Sequence, residues 1–436
     1  MSKVIKRREK DAILQSLRAG VVPKIGLQHI QVGRKKELEA MISDFDRVEN
    51  DGSFVRFTIG KYGSGKSFFL NLSRAIALSR NMVVINADIT TERRLNGTNG
   101  QARSLYAELM RNLATRSKTE GGALSNIVEK WVSDVEYKVK QGGGAQGDVK
   151  GEIQKKLKPL QELVSGYDFA DVLEKYYEGY VSMNDRLQDA ALRWLRAEYT
   201  TKTEAREDLG VRNIIDDKNI YDYLKLFGSF TGMAGYSGLV VNIDEMGVFS
   251  HRLNNASARN NNYEMLLRIV NDCLQGSVSR LGFVFAGTEE FLSDRRRGVA
   301  SYEALWARLS LGSFVKDGLK DYSGPVIQLD NLTLEDLYVL LMNIREVYFS
   351  EQGNSAIFPA EAIEAFISWC SYKMGAEFFL KPREVVREFV GVLSVLEQNP
   401  EKNWQDLLGN YSRAFEDDVQ DDTPVDDEDE LSSFKL

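Results

Sequence analysis

The sequence predicts an α/β protein with a parallel sheet, and three observations support that fold class. Up to residue 332, short apolar runs of strand length alternate with longer segments that have helical periodicity. Parallel strands need long crossover connections, which are usually helices. A glycine-rich stretch stands where the first of these runs meets a helix. Beyond residue 332 only helical patterns follow, which indicates a second domain.

Five segments are expected to form the strands of the sheet, with helices covering both faces. They are residues 54–59, 82–89, 238–245, 282–288 and 325–332. The connection between the second and third strands is far longer than a crossover needs, so we expect a helical insertion over about residues 117–228. A helix near 101–116 precedes it. Inside it, QGGGAQG at 141–147 predicts a flexible hinge or a disordered loop before a helical block over 151–228.

The chain is expected to divide into four regions. Residues 1–33 form a basic amphipathic helix, at about 6–19, and an extended arm. Residues 34–332 contain the sheet and its insertion, and residues 333–415 contain four helices. Residues 416–436 carry ten acids and one lysine, which is typical of a disordered tail. Such a tail either solubilises the protein or competes with anions that the rest of the chain binds.

Composition and charge narrow the class of protein. The 436 residues have a net charge of −8, and the tail's −9 leaves +1 for everything before it. No apolar run of membrane-spanning length and no signal peptide is visible, so we expect a cytoplasmic protein without a membrane partner. Cys273 and Cys370 lie in amphipathic helical patterns and suit buried, reduced thiols. Only His29 and His251 occur, which argues against histidine-based metal or nucleophile chemistry.

The glycine-rich stretch FVRFTIGKYGSGKSFFLNL, residues 54–72, contains the complete P-loop pattern. Glycines let backbone N–H groups point inward to a phosphate, and the following helix adds its positive N-terminus. Lys66 is expected to reach the outer phosphates, and the Ser67 hydroxyl is expected to bind Mg²⁺. The pattern therefore predicts that a nucleoside triphosphate and Mg²⁺ bind at Gly60, Gly63, Ser64, Gly65, Lys66, Ser67 and Phe68.

A second motif, LVVNIDEMG, places Asp244 and Glu245 at the carboxyl end of a buried strand. A carboxylate there suits Mg²⁺, directly or through water, and we assign that role to Asp244. Glu245 is suited to polarise the attacking water, which is the task of a base in phosphoryl transfer. An Asp-Glu pair at a strand end is common, but its place downstream of a full P-loop favours the functional interpretation.

With these motifs the chain resembles the AAA+ class of ATPases, in particular the branch of origin-recognition and clamp-loader proteins. The additional strand between the P-loop strand and the Asp-Glu strand, and the helical lid, both fit that plan. The resemblance implies that Val32, in Val32-Gly33-Arg34, lies near the adenine. It implies that Thr288 is the polar sensor of the γ-phosphate, although Asn is commoner there, and that Arg383 is the lid arginine.

An arginine finger that completes a neighbouring subunit's site is also implied by this resemblance, together with a homo-oligomer. Arg308, in ALWARLS, is our preferred candidate because it follows an apolar helix and precedes the fifth strand. The cluster Arg295, Arg296 and Arg297 lies between the same two strands and remains an alternative.

A narrower resemblance covers nearly the whole chain before the tail. The phrases REKDAILQSLRAGVVPKIGLQHIQVGR, ALRWLRAEYTTKTEAREDLGV and GYSGLVVNIDEMG are similar to the ATP-binding proteins of bacterial BREX phage-exclusion systems. This similarity implies a cytoplasmic ATPase of a phage-defence system that acts beside a helicase, a methyltransferase or a similar DNA-handling partner. Three functions stay open: an oligomeric ATPase that acts on DNA or a DNA-bound partner, a nucleotide-dependent signalling switch, and a scaffold with little turnover.

Any DNA contact needs a surface other than a winged helix, because no room for one remains after the lid. Residues 251–268, HRLNNASARNNNYEMLLR, are the best candidate. They carry Arg252, Arg259 and Arg268 with a run of Asn, which are donors to phosphate oxygens. A plain polar loop between strand and helix is the alternative.

Overall fold

The computed structural model describes residues 5–310, 320–350, 355–374 and 382–409, and the acidic tail lies outside these ranges. The chain forms two compact units. One contains residues 34–330, and the other joins residues 1–33 to residues 331–436.

The larger unit is built on a five-stranded, entirely parallel sheet, as the sequence predicted. The strands lie in the order β2-β3-β4-β1-β5. Their bounds are β1 Ser53–Ile59, β2 Val83–Asp88, β3 Leu239–Asp244, β4 Leu281–Gly287 and β5 Val326–Gln328. The fifth strand is shorter than expected, because it pairs with β1 over three residues only, from Phe57↔Val326 to Ile59↔Gln328.

The described residues contain helices before, between and after these strands. In chain order they are α1 Arg7–Arg18, α2 Leu27–Ile30, α3 Lys35–Glu49, α4 Lys66–Ser79, α5 Gln101–Arg111, α6 Leu124–Gln141, α7 Gln146–Gln161, α8 Gly166–Val181, α9 Asp185–Leu195, α10 Lys202–Leu209, α11 Ile220–Met233, α12 Gly247–His251, α13 Ala256–Leu274, α14 Glu289–Ser293, α15 Glu303–Leu309, α16 Leu334–Phe349, α17 Glu361–Met374 and α18 Pro382–Gln398.

Helices α6 to α11 form the insertion between β2 and β3. Its aromatic side chains pack together, with Trp131 and Phe169 edge-on to Phe230 at 5.4 and 5.9 Å between ring centroids. These residues belong to the same continuous core as the sheet residues Phe57 and Phe285. The insertion is therefore part of the sheet unit and not a separately packed module.

The expected flexible hinge at 141–147 is wrong, because this segment is an ordered turn. Helix α6 continues to Gln141, and α7 begins at Gln146. The Gly144 N–H donates to the Val139 carbonyl at 3.0 Å, and the Ala145 N–H donates to Asp148 at 2.8 Å. The helix expected at 101–116 ends at Arg111 instead, since Ala114 forms an isolated bridge with Val84 of β2.

Asp217, near the end of the insertion, caps α5, the helix that precedes the insertion. Its carboxylate accepts from the Gly100 N–H at 2.7 Å and from the Arg103 N–H at 2.9 Å, which satisfies two free donors at the start of α5. The Arg103 side chain donates to the Tyr199 carbonyl at 3.1 Å. These bonds fasten the two ends of the long excursion to each other.

In the smaller unit, the N-terminal helices pack on the C-terminal ones. Helix α1 contacts α18 and α16, and α2 contacts α16. The turn before α2 needs glycine, because Gly26 has φ 77° and a Cβ there would lie 2.7 Å from Ile13 Cδ1. Residues 404–409 are helical as well, so the beginning of the expected fourth C-terminal helix is present.

Two properties expected from composition can be checked in the described residues. Cys273 and Cys370 are both buried, free thiols. No helix in the described ranges has the length and apolarity needed to span a membrane.

A buried ion pair ties β1 to the neighbouring helix. The Arg56 guanidinium, 3% exposed, donates to both Asp44 carboxylate oxygens on α3, at 2.5 and 3.0 Å. The same guanidinium donates to the Tyr322 carbonyl at 2.8 Å and to the Gly324 carbonyl. One side chain thus holds together α3, β1 and the segment that leads into β5.

We predict that Asp44→Ala lowers the free energy of unfolding by about 3–5 kcal/mol, because it leaves the Arg56 charge buried without its partner. The matched control is Arg47→Ala. Arg47 also lies near Asp44, at 3.3 Å, but is 57% exposed, so its loss should cost about 1 kcal/mol or less. Urea unfolding followed by circular dichroism compares the two variants, and equal losses would contradict the assignment.

Candidate nucleotide-binding site

The loop between β1 and α4 has a backbone that only glycine fits at several positions. Gly63 and Gly65 have φ of 85° and 87°, in the left-handed region. At Gly60 a Cβ would lie 2.4 Å from the Ser64 hydroxyl oxygen and 2.6 Å from the Leu329 carbonyl oxygen. The glycines that define the P-loop pattern are therefore required by conformation and by close packing.

Lys66 begins α4 and folds back over this loop. Its ammonium group donates to the carbonyl oxygens of Gly60 at 2.9 Å and Lys61 at 2.8 Å. Burial lowers the pKa of Lys66, while the negative charges of Asp244 and Glu245 oppose that change. A cation that is partly removed from water, and held by weak carbonyl partners, is well suited to exchange them for anionic oxygens.

Ser67 and Asp244 are brought together although they are 177 residues apart in the sequence. The Ser67 hydroxyl donates to an Asp244 carboxylate oxygen at 2.8 Å, and the Glu245 N–H donates to the other oxygen at 2.7 Å. A hydroxyl and a carboxylate are oxygen ligands of the kind that Mg²⁺ prefers. No cluster of three or more His, Cys, Asp or Glu that could hold a metal occurs among the described residues. Ser67 and Asp244 form an oxygen pair whose chemistry fits this ion.

Glu245 follows Asp244 in a strained backbone conformation. Its φ is 61°, which costs a residue with a side chain roughly 1–3 kcal/mol. The next residue is anchored, since the Met246 N–H donates to the Ala286 carbonyl of β4 at 3.0 Å. Burial raises the pKa of Glu245, and the charges of Asp244 and Asp88 raise it further. Glu245 is therefore a better proton acceptor than an ordinary glutamate once it is ionised.

Asp88 is a site residue that our sequence analysis missed. It ends β2 and is the register partner of Asp244 on β3. Desolvation and the Asp244 charge both raise the pKa of Asp88, while Arg93 lowers it. The signal was present, because the segment MVVINADI ends a predicted strand in an acid next to the Asp-Glu strand.

Thr288 follows β4 and starts the short helix α14. Its hydroxyl oxygen accepts from the Phe291 N–H at 3.3 Å, so this side chain acts as a helix cap. Glu289 and Glu290 follow it, and their charges also act on Lys66. These two glutamates were not singled out from the sequence.

Arg34 is the member of Val32-Gly33-Arg34 that reaches the loop. It has φ 61° and donates to the Ser64 carbonyl at 3.0 Å and to the Asp330 carbonyl. Val32 and Arg383 belong to the other unit, in which Arg383 is exposed at the start of α18 and packs beside Gly20. Their expected contacts with the nucleotide stay predictions.

The candidate arginine fingers both lie on the surface of the sheet unit. Arg308 is exposed in the last turn of α15 and donates to the Asn271 side chain at 3.0 Å and to the Ala304 carbonyl at 2.9 Å. Arg297 donates to the Asn254 side chain at 3.0 Å, and Arg295 and Arg296 are exposed. The assignment of Arg308 as the finger, with the cluster as its alternative, stays a prediction.

The proposed phosphate-contacting segment, residues 251–268, is mainly helical, since α13 begins at Ala256. Arg259 is 8% exposed and donates to the Leu253 carbonyl at 3.0 Å. Arg268 pairs with Asp222 at 2.9 Å, and the buried Asn262 side chain bonds both polar groups of the Asn96 backbone. The expectation that Arg259 and Asn262 present donors to phosphates is therefore wrong, while Arg252 is exposed.

The sequence model of one family, described as BREX system ATP-binding protein BrxC/D, matches residues 5–412. No curated protein and no solved structure matches the chain. The match spans nearly all of the sequence before the acidic tail and confirms the narrower resemblance that the sequence phrases indicated. The chain belongs to the family of BREX system ATP-binding proteins.

Proposed function

We propose that this member of a nucleotide-binding, phage-defence family hydrolyses ATP. The proposed site lies at the carboxyl ends of the strands, between the P-loop and the end of β3. The observation that carries the proposal is the 2.8 Å hydrogen bond between Ser67 and Asp244. It joins the P-loop serine to the first acid of the Asp-Glu motif, and Lys66 and Glu245 are their immediate neighbours in the chain.

Binding of the triphosphate is assigned to the loop and to Lys66. The N–H groups of the loop and of the first turn of α4 cradle the phosphates, and the helix N-terminus favours their charge. Lys66 leaves the carbonyls of Gly60 and Lys61 for the outer phosphate oxygens. Ser67 and Asp244 would hold Mg²⁺, which when bound neutralises charge on the phosphate oxygens.

Activation of water is assigned to Glu245. Glu245 is the next residue after Asp244, the proposed ligand of Mg²⁺. The raised pKa of its carboxylate favours acceptance of a proton from an attacking water molecule. Asp88 raises that pKa through its charge, so we assign it a supporting role. Thr288, at the end of the adjacent strand β4, is proposed as the polar contact of the γ-phosphate.

The strand order supports placing the chain in the AAA+ class. In space, β4 lies between the P-loop strand β1 and the Asp-Glu strand β3. This is the additional strand that the resemblance to that class implied. We accordingly propose a homo-oligomer with Arg308 in the neighbour's site, and action on DNA or on a DNA-bound helicase or methyltransferase partner. The cytoplasmic location expected from the sequence remains a prediction.

We predict that Lys66→Ala abolishes measurable ATP binding, because the outer phosphates lose the cation that faces them. Lys61→Ala is the matched control, since Lys61 is an exposed lysine of the same loop and should change affinity little. Isothermal titration with ATP and Mg²⁺ measures both variants. Unchanged affinity in Lys66→Ala would remove the site assignment.

Glu245→Gln should bind ATP as the wild type does and lose turnover roughly 10²- to 10⁴-fold, because an amide keeps the shape but accepts no proton. Phosphate release at saturating ATP, with and without DNA, provides the measurement. The same assay on the wild type separates a hydrolysing module from a switch or a scaffold. A variant that hydrolyses at the wild-type rate would assign the base to another residue.

Arg308→Ala should bind ATP normally and hydrolyse it roughly 10³- to 10⁵-fold more slowly, the range found for arginine fingers. Mixing it with Glu245→Gln subunits should restore part of the activity, because some interfaces then pair an intact Glu245 with an intact Arg308. Arg296→Ala, measured beside it, tests the competing cluster. Turnover that is independent of protein concentration and of both arginines would rule out a site completed by a neighbour.

A further inference from the structure

The turn between α7 and α8, together with the first turn of α8, exposes three large apolar side chains. Leu163, Val164 and Tyr167 are 44%, 66% and 71% exposed. Most other apolar residues of the insertion are buried in the common core, and Tyr137, Val181 and Met183 are its further exposed large apolar residues in the described ranges. We call Leu163, Val164 and Tyr167 the apolar turn. Contiguous exposed apolar side chains with a polar surround are typical of a protein contact.

The backbone of this turn is held in one conformation. Ser165 has φ 63°, and the Gly166 N–H donates to the Leu163 carbonyl at 2.9 Å. A Cβ at Gly166 would lie 1.7 Å from the Leu160 carbonyl oxygen, so only glycine fits there. The apolar side chains are therefore presented by a fixed turn, and a partner would meet them without ordering the backbone first.

A groove of about 540 Å³ runs between α7 and α8 and ends at Tyr167. The helices pair antiparallel, as shown by the contacts Lys150–Glu178 at 3.0 Å and Gln154–Glu174 at 2.9 Å. Lys155 and Lys158 line the α7 wall, and Asp171 and Glu174 line the α8 wall. Among the ion pairs of the described residues, none engages Lys155 or Lys158.

We propose that this face, the groove together with the apolar turn, binds the same face of a second copy of the chain. A two-fold axis parallel to the two helices places α7 of one copy over α8 of the other. The lysine wall of each copy then meets the acidic wall of its partner at equal height. The same operation brings the two apolar turns together, so a single symmetric contact matches both charge and apolar surface.

The balance of charge favours a second copy over other occupants. Two lysines stand against two carboxylates in the groove, so a polyanion such as DNA, or an anionic membrane surface, meets as much repulsion as attraction. A two-fold axis, by contrast, places each copy's lysines against the other copy's carboxylates, so a second copy of the chain matches the charges of the groove. The contact uses the insertion only and is independent of nucleotide, so it is distinct from the head-to-tail arrangement in which Arg308 would act.

A charge exchange in the full chain tests the contact. Lys155→Glu/Lys158→Glu makes the face wholly acidic, and Asp171→Lys/Glu174→Lys makes it wholly basic. We expect the wild type to dimerise with rising concentration in sedimentation velocity without nucleotide, and each variant alone to associate at least about 30-fold more weakly. An equimolar mixture of the two variants should form a heterodimer, which also shows that both are folded. Lys138→Glu/Lys218→Glu, with the same change in charge elsewhere on the insertion, should dimerise like the wild type.

The apolar turn is tested by Val164→Ser/Tyr167→Ser, which should also weaken the dimer. Its control is Met183→Ser, at the other end of α8 and 88% exposed, which should leave the dimer unchanged. A wild type that stays monomeric at all concentrations overturns the proposal. So does a mixture of the charge variants that fails to associate, or a control that weakens the dimer as much as the turn variant.

Discussion

The hydrogen bond between Ser67 and Asp244 depends on the register of three strands. Strand β4 lies between β1, which leads into the loop before Ser67, and β3, which ends at Asp244. Phe283 of β4 pairs with Val55 of β1 on one side and with Val241 of β3 on the other. A slip of one residue in either pairing moves a strand end by about 3.3 Å, which is more than the bond itself can absorb. The stacked rings of Phe57 and Phe285, 4.9 Å apart across β1 and β4, help hold that register. The position of the Ser67–Asp244 bond, at the carboxyl ends of the strands, is therefore set by packing inside the sheet.

The long insertion makes the correct register harder to reach, because the chain leaves the sheet after β2 and must return as β3 to pair with β2. Two fixed points make the return specific. Asp217 closes the excursion on the start of α5, and the Arg74 side chain of α4 donates to the Thr119 carbonyl near its beginning. Since Trp131 and Phe230 share one core with the sheet residues, the insertion also adds apolar burial to the unit whose strands it separates. The long connection thus contributes to the sheet instead of only joining its strands.

The sequence predicted those parts of the structure that depend on neighbouring residues in the chain. The apolar runs predicted all five strands, and the spacing of Gly60, Lys66 and Ser67 predicted the loop that surrounds them. The residues that escaped prediction have distant partners. Asp88 lies beside Asp244 because β2 pairs with β3, and Arg259 is buried with its guanidinium bonded to the Leu253 carbonyl. The glycines at 142–144 were misjudged for a related reason, since composition alone does not show that Asp148 caps the helix that follows them.

Glu245 illustrates the difference between a residue that a fold prefers and one that it tolerates. Its left-handed backbone conformation is one that glycine adopts without cost, and the neighbouring hydrogen bonds to Asp244 and from Met246 keep the chain in that conformation. Selection for stability alone would favour glycine at this position. The carboxylate there is accordingly held against the backbone's own preference, at a cost in folding stability that a glycine would not carry.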